Sequence, residues 1–280
     1  MFLLDLRQRS PKLLLAGLIA CGAYQAHFLL PYTLQFATEA RQAVTCPAGD
    51  RLRVLTLKVL RGNNRAAPVL NFIRATKPDL FLALEADRAW ARALQPLRAD
   101  YPHVMDASRD SYWGMMLFSR LPLANPEVRH LIDGYLPSIR ADSVLPPGSV
   151  PTFYGLHPKP LVGGNIVARG DAELIIAGRE IRVRRGDAVL AGDLNDVPWS
   201  RTMQLFKHVS DMRDPRVGRA LYPTYKTDAP LLSWPIDHVF ASPAFSVLNY
   251  RKLQDVGSDH YPVEATLCYS PTKARSDGDG

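Results

Sequence analysis

Three short polar phrases, each joined to an apolar run of strand length, set the limits on what this chain can fold into. Gly192-Asp193-Leu194-Asn195 follows Ala188-Val189-Leu190-Ala191. Pro235-Ile236-Asp237-His238 runs into Val239-Phe240, and Gly257-Ser258-Asp259-His260 precedes the run 262–267. Short apolar runs bounded by turn residues read as buried strands. The carboxylates, amide and imidazoles therefore sit on loops that sheets hold in place.

The upstream runs are mixed. Residues 51–59 alternate (Leu52, Val54, Leu55, Leu57, Val59) as an opening strand. Residues 66–75 place Val69, Leu70, Phe72 and Ile73 at helical spacing, with Pro68 in the first turn. A buried strand over 79–84 ends at Glu85, and Asp87 is placed to cap a helix over 87–94 that stops near Pro96. Strand signals then crowd together at 115–118, 128–132, 139–144 and 152–156, with Pro146-Pro147-Gly148 marking a turn. After a glycine-rich loop at 163–164, helices are expected over 171–185 and from 202, the latter capped by Ser200. Strands are expected at 236–240, 245–253 and 263–267. This order is not the regular βαβ alternation of a doubly wound sheet. It predicts an α/β fold of two mixed sheets packed face to face with helices outside.

The length of 280 residues allows one large catalytic domain plus an appendage. A net charge of +7 favours anionic partners, namely phosphate esters, nucleic acid or an acidic membrane surface. An indifferent arginine-rich surface fits the same number. The three cysteines are too few for a disulfide scaffold. Cys46 and Cys268 flank the domain and could pair, although nothing in the sequence requires it. No Cys/His spacing suggests zinc.

The first 36 residues are of another kind. Arg7, Arg9 and Lys12 precede an apolar stretch over 13–24, which Gln25, His27 and Pro31 interrupt before 28–36 resumes it. A signal-anchor helix with its basic end inside fits this pattern. So does a cleaved signal peptide, since Leu18-Ile19-Ala20-Cys21-Gly22 looks like a bacterial lipobox. An amphipathic surface segment or a buried helix is the third reading. The first two put the domain outside the cytoplasm. Residues 37–50 read as a linker, 51–270 as the domain and 271–280 as a polar tail.

Taken together, the phrases resemble the endonuclease/exonuclease/phosphatase family, over roughly residues 52–267. They are closest to the bacterial branch in which the domain follows N-terminal membrane segments. The resemblance implies a four-layer α/β sandwich and a metal-dependent hydrolase acting on phosphoester bonds. Glu85, in Leu82-Ala83-Leu84-Glu85, matches the family's metal-binding glutamate, and carboxylate oxygen suits Mg²⁺ or Mn²⁺. His157, in Tyr154-Gly155-Leu156-His157-Pro158, matches the histidine that contacts the scissile phosphate and can protonate the leaving oxygen. Asp193 and Asn195 match Gly-Asp-x-Asn. There the aspartate orients or deprotonates the attacking water beside the metal, and the amide holds a phosphate oxygen. Asp237 matches the aspartate that fixes the tautomer of the last histidine. Asp259 would complete the metal site, and His260 would stabilise the phosphorane or act as base. Asp196 reads as a turn cap and His238 as a packed residue. Asn63, with Asn64 as the register alternative, matches an early asparagine. Arg169 matches an arginine opening the helix after the His157 loop, where a plain surface arginine fits equally.

One position departs from the family. Where it has asparagine at the end of the first strand, this chain has Lys58. An ammonium cannot face a bound Mg²⁺ unscreened. Lys58 must turn onto Glu85 or Asp193, contact the substrate phosphate, or weaken metal binding. The reading as a whole is a membrane-tethered, Mg²⁺-dependent phosphoester hydrolase in which water attacks phosphorus in line. Its substrate is expected to be a lipid-linked or other extracytoplasmic phosphoester. A nuclease acting on DNA or RNA is the first alternative, and a phosphate-binding module impaired by Lys58 the second. No obligate protein partner is implied.

Overall fold

The computed structural model describes residues 9–132, 134–146, 148–160, 164–229 and 232–271. Strands β1 (Arg51–Lys58), β2 (Leu80–Leu84), β3 (His103–Ala107), β4 (Met115–Ser119), β10 (Phe245–Lys252) and β11 (Val263–Tyr269) form one sheet, in the order β10-β11-β1-β2-β4-β3. Strands β5 (Leu123–Arg129), β6 (Ser138–Ser143), β7 (Thr152–Gly155), β8 (Ala188–Asp193) and β9 (Asp237–Ala241) form the second, in chain order. Both sheets are mixed: β1 runs parallel to β2 and antiparallel to β11, and β8 runs parallel to β7 and antiparallel to β9.

Period-two alternation gives each sheet two apolar faces, and each face has a partner. Leu52, Val54, Leu82 and Leu84 pack inward against Ile139, Phe153, Val189 and Val239 of the facing sheet. Leu55, Leu57, Phe81 and Ala83 point outward under α2 (Ala66–Thr76) and α3 (Arg88–Ala93), meeting Val69, Ile73 and Trp90. On the far side Tyr154, Leu190 and Phe240 lie under α4 (Gly164–Arg184) and α5 (Arg201–Ser210), meeting Leu174, Ala177 and Phe206. The result is the expected sandwich of two packed sheets between helices. Asp87 and Ser200 cap α3 and α5 as their positions predict, accepting from Trp90 N and Met203 N.

Three elements differ from expectation. The sequence reading lacks β3, an edge strand in which only Met105 is buried, so it shows no buried alternation. Strand β5 begins at Leu123 and carries an irregularity between Ala124 and Glu127, where Asn125 adopts positive φ beside Pro126. Helix α4 starts at Gly164, seven positions before the expected start at 171. Gly164 and Gly170 weaken the helical signal over that stretch. Of the expected turn 146–148, Pro147 lies outside the described residues, and Leu145 and Ser149 pair across it. The tail beyond residue 271 lies outside them too.

Helix α1 (Arg9–Leu29) stands away from the domain, with Leu13, Leu18 and Ile19 exposed. Residues Pro11–Tyr32 are long and apolar enough to cross a bilayer, a test that a signal sequence also passes. The chain after the helix is strapped to the domain. Tyr32 is buried against Trp199, and Gly218 N donates to Pro31 O over 2.8 Å. Gln42 bridges β10 at Val247, whose N donates to Arg41 O, and Lys207 pairs with Glu39 at 2.8 Å. Residues 37–43 thus have fixed partners on the domain. Cys46 and Cys268 form a disulfide that ties this segment to β11.

Candidate active site

The polar phrases meet at one end of the two sheets. Lys58 closes β1, Glu85 follows β2, His157 follows β7 and Asp193 closes β8. Asp237 opens β9 directly opposite Asp193, while Asp259 and His260 lie just before β11, which runs antiparallel to β1. Glu85 and, two residues beyond Asp193, Asn195 have left-handed backbones with φ of 56° and 53°. Such conformations cost energy and persist where the surroundings over-determine them. Gly192 makes the tightest approach: a Cβ there would lie 1.8 Å from Leu156 O. That contact brings the Asp193 strand up against the loop bearing His157.

Asp237 and His260 form a buried pair, with Nδ1 2.8 Å from Oδ2. The bond assigns a proton to Nδ1 and turns Nε2 toward Asp193 Oδ2, 3.8 Å away. Burial works against charge on His260, yet the Asp237 and Asp193 carboxylates raise it to about 9. Burial would raise Asp237, and the charge and hydrogen bond of His260 hold it below the ordinary carboxylate value. Asp193 is buried as well. Its Oδ1 accepts from Asn195 N at 3.0 Å, while Oδ2 has no hydrogen-bond partner and lies 3.7 Å from His157 Nε2. Burial above all pushes Asp193 up to about 7. His157 is pushed down to about 3, first by burial and then by Lys58 and His260, so it is neutral at neutral pH. The Trp113 ring packs 5.0 Å from it, and the Tyr225 ring 4.8 Å from His260.

Asn195 donates one Nδ2 hydrogen to Pro158 O at 2.9 Å, which leaves the second amide hydrogen for another acceptor. Asp196 caps its turn by accepting from Val197 N and from Ser200 Oγ. His238 is packed, as expected: Nε2 bonds Asp196 O at 2.8 Å and Nδ1 meets Arg216. Asn63 departs from the substrate-contact reading. Its amide donates to Gly257 O at 2.8 Å and its Oδ1 accepts from Arg65 N, so it is spent on the backbone of the loop that carries Asp259. Arg169 falls in the first turns of α4, where side chains lie outside the described residues.

Lys58 lies between the two carboxylates expected to hold a metal. Its Nζ is 3.0 Å from Glu85 Oε1, 3.2 Å from Asp259 Oδ2 and 3.3 Å from His260 Nε2. Burial favours a neutral amine, but Asp193, Glu85 and Asp259 outweigh it and hold the ammonium above the ordinary lysine value. Ser258 Oγ donates to Lys58 O, locking the strand end to the Asp259 loop. A divalent ion bonded to Glu85 Oε1 at about 2.1 Å would stand at most about 5 Å from Nζ. Their repulsion at an effective dielectric near 20 exceeds about 6 kcal/mol. With Lys58 in place, the Glu85–Asp259 pair does not fit a divalent cation. Among the described residues, Asp193, Asp237 and His260 do form a possible metal-holding group, each offering a ligand atom within 4.8 Å of the others.

The largest feature that the sequence reading lacks is the base beneath the site. Arg216 is fully buried, paired with Asp214 through Nε at 2.9 Å and Nη2 at 3.0 Å. It also reaches Pro235 O at 3.2 Å and His238, so it sets the backbone that delivers Asp237. The only local signal was the spacing Asp214-Pro215-Arg216, which supports the Nε contact but says nothing of His238.

A sequence profile of the Endonuclease/Exonuclease/phosphatase family matches residues 55–260. No curated protein matches the chain in sequence. Among solved structures, a family protein from Bacteroides thetaiotaomicron is 20% identical with a TM-score of 0.64, over 79% of this chain and 98% of that one. One from Beutenbergia cavernae is 23% identical with a TM-score of 0.65, over 79% and 72%. A 3′ phosphatase from Neisseria bound to a product DNA hairpin is 22% identical with a TM-score of 0.62, over 76% and 98%. At these identities the likeness is one of fold, and the profile supplies the kinship in sequence. The chain belongs to the endonuclease/exonuclease/phosphatase family, whose members are usually hydrolases of phosphoester bonds and commonly use divalent metals.

Proposed function

We propose that the protein hydrolyses a phosphoester by attack of water on phosphorus. The observation that carries this reading is Asp193 Oδ2, a buried carboxylate oxygen with no hydrogen-bond partner, lying 3.7 Å from His157 and 3.8 Å from His260. A desolvated carboxylate poised near neutrality is suited to take a proton from water. As the O–P bond forms and the P–O bond to the leaving group breaks, the water's proton passes to Asp193. The departing oxygen takes one from solvent. His260, kept cationic by Asp237, supplies charge to the phosphorane, and His157 and Asn195 supply N–H donors. Mg²⁺ or Mn²⁺ was the expected ion at Glu85 and Asp259, a pair that Lys58 bridges. Asn63 serves by fixing the Gly257 loop, and Arg169 would contact the substrate.

The substrate class we favour is a lipid-linked or other extracytoplasmic phosphoester. Helix α1 supports a place at the membrane. The Cys46–Cys268 disulfide supports an oxidising compartment, because cytosolic thiols are kept reduced. On this reading residues 1–36 are an anchor or signal segment, 51–270 the catalytic domain and 271–280 a tail. A nuclease is the second reading. It is favoured by the Arg61 guanidinium lying over the exposed Tyr112 ring at 5.2 Å, a platform on which a base could stack. The full chain in detergent should be assayed on an activated phosphodiester, an activated monoester, DNA, RNA and a polyprenyl pyrophosphate, with Asp193→Ala as control. Turnover confined to DNA or RNA selects the nuclease. Phosphate-ligand binding without turnover on any of them would leave a binding module and sink the hydrolase.

A further inference from the structure

We propose that the Lys58 ammonium takes the seat of the divalent cation, so that this chain stabilises the phosphoryl charge with a built-in cation and needs no metal between Glu85 and Asp259. The inference rests on the phosphoester reading for its substrate, but its geometry stands alone. A bridging cation in such a site has to sit between two carboxylates, close to the general base, and face the phosphate. Lys58 Nζ lies between the two carboxylates, at 3.0 Å from Glu85 Oε1 and 3.2 Å from Asp259 Oδ2, with His260 Nε2 at 3.3 Å on its remaining side.

The seat is built around the side chain. Glu85 Oε2 accepts from Arg61 N at 3.2 Å, which aims Oε1 at Lys58. Ser258 Oγ closes the other side on Lys58 O. The Lys58 side chain is 12% exposed and that of Asp259 29%, so one face of the ring remains open toward solvent, where a phosphate can enter. An ammonium carries half the charge of Mg²⁺ but offers three directed N–H donors. Two of them serve the carboxylates, and the third lies toward His260 Nε2 at 3.3 Å, on the side from which a non-bridging phosphate oxygen would have to draw it. Lys58 exchanges no proton in this role. The bonds made and broken are those of the hydrolysis above, with water as the only co-reactant. The lysine fills the space between the two carboxylates.

Mn²⁺ titration followed by electron paramagnetic resonance tests the claim directly, on the full chain in detergent, without any substrate. The unsubstituted protein is expected to bind no stoichiometric Mn²⁺ that depends on Glu85 at submillimolar ion. Lys58→Asn is expected to gain one equivalent and Lys58→Asn with Glu85→Gln to lose it again. On whichever phosphoester is turned over, activity should be indifferent to chelator, and Lys58→Met should lose about 10²–10³-fold, the scale of one oxyanion-stabilising group. Lys58→Asn should recover activity only with added Mg²⁺. One Mn²⁺ held tightly by the unsubstituted chain and lost on Glu85→Gln, or activity abolished by chelator, overturns the proposal, whereas an ion that survives Glu85→Gln lies at Asp193, Asp237 and His260 and leaves Lys58 in its seat. If nothing is hydrolysed by any variant, the phosphoester reading fails, and the titration of the unsubstituted chain still decides the role of Lys58, even should the variants not fold.

Discussion

The Asp237 carboxylate accepts the Nδ1 proton of His260 across 2.8 Å, with both groups buried and Asp193 just beyond the far ring nitrogen. Asp193, raised to about 7, must lose its proton to act as base, and His260, raised to about 9, must keep its own to supply charge. The rate should therefore rise as pH passes about 7 and fall as it passes about 9, giving a bell whose limbs belong to the coupled pair. Asp237→Asn removes the carboxylate that raises His260. The alkaline limb is expected to move toward lower pH, readable in a kcat/KM profile. An unmoved alkaline limb would remove His260 from the step.

Asp193→Asn keeps the shape of the side chain and removes the proposed base. Turnover is expected to fall by about 10²–10⁴-fold, the usual worth of a positioned base. Burial disfavours the charged form here, so the melting temperature should stay level or rise. Thermal melts beside steady-state assays check both halves. A variant that loses activity only by unfolding would contradict the assignment.

Arg216 and Asp214 are both essentially inaccessible to solvent. Arg216→Met strands the Asp214 carboxylate and the carbonyls of Pro235 and Asp237. Removing one partner of such a pair costs about 3–5 kcal/mol, a loss that urea unfolding would register as a lower midpoint. Burial disfavours its charge, and Asp214 above all restores it, keeping the arginine cationic. The same loss should loosen Asp237 and carry activity down with stability.

Reducing the Cys46–Cys268 bond frees a loop of 222 residues in the unfolded chain. The expected loss is about 2–4 kcal/mol, with about 5 as the ceiling of the chain-entropy argument. Melting with and without a reductant, and with Cys46→Ser, measures it. Equal melting temperatures would mean that the bond adds nothing to the fold.

Much of this architecture is legible in the sequence, because strands and caps are local. The alternation in 51–59, the cap at Asp87 and the phrase ending β8 each fix their own surroundings. The ends of those strands carry the candidate site, so knowing the strands placed most of its residues together. Lys58 was legible only as a departure. Its partner Asp259 is 201 residues away, and three fates stayed open until the tertiary structure brought the ring together. Arg216 escaped for the same reason, since His238 and Pro235 reach it through a fold and not through a pattern. Strand β3 escaped because an edge strand with a single buried residue shows no alternation.

The strap over residues 31–43 also has a mechanical consequence. With Arg9–Leu29 held in a bilayer, traction on the domain would enter at Tyr32 and spread sideways into Gly218 and β10 through the Pro31 and Arg41 carbonyls. Whatever load passed those bonds would next meet the Cys46–Cys268 crosslink and be delivered to β11, beside the middle of the first sheet. From there it would pass directly into β1, whose Arg51 pairs with Cys268. The leash on this protein would act less like a string than like a rigid bracket, fixing the height and heading at which the site faces the surface below.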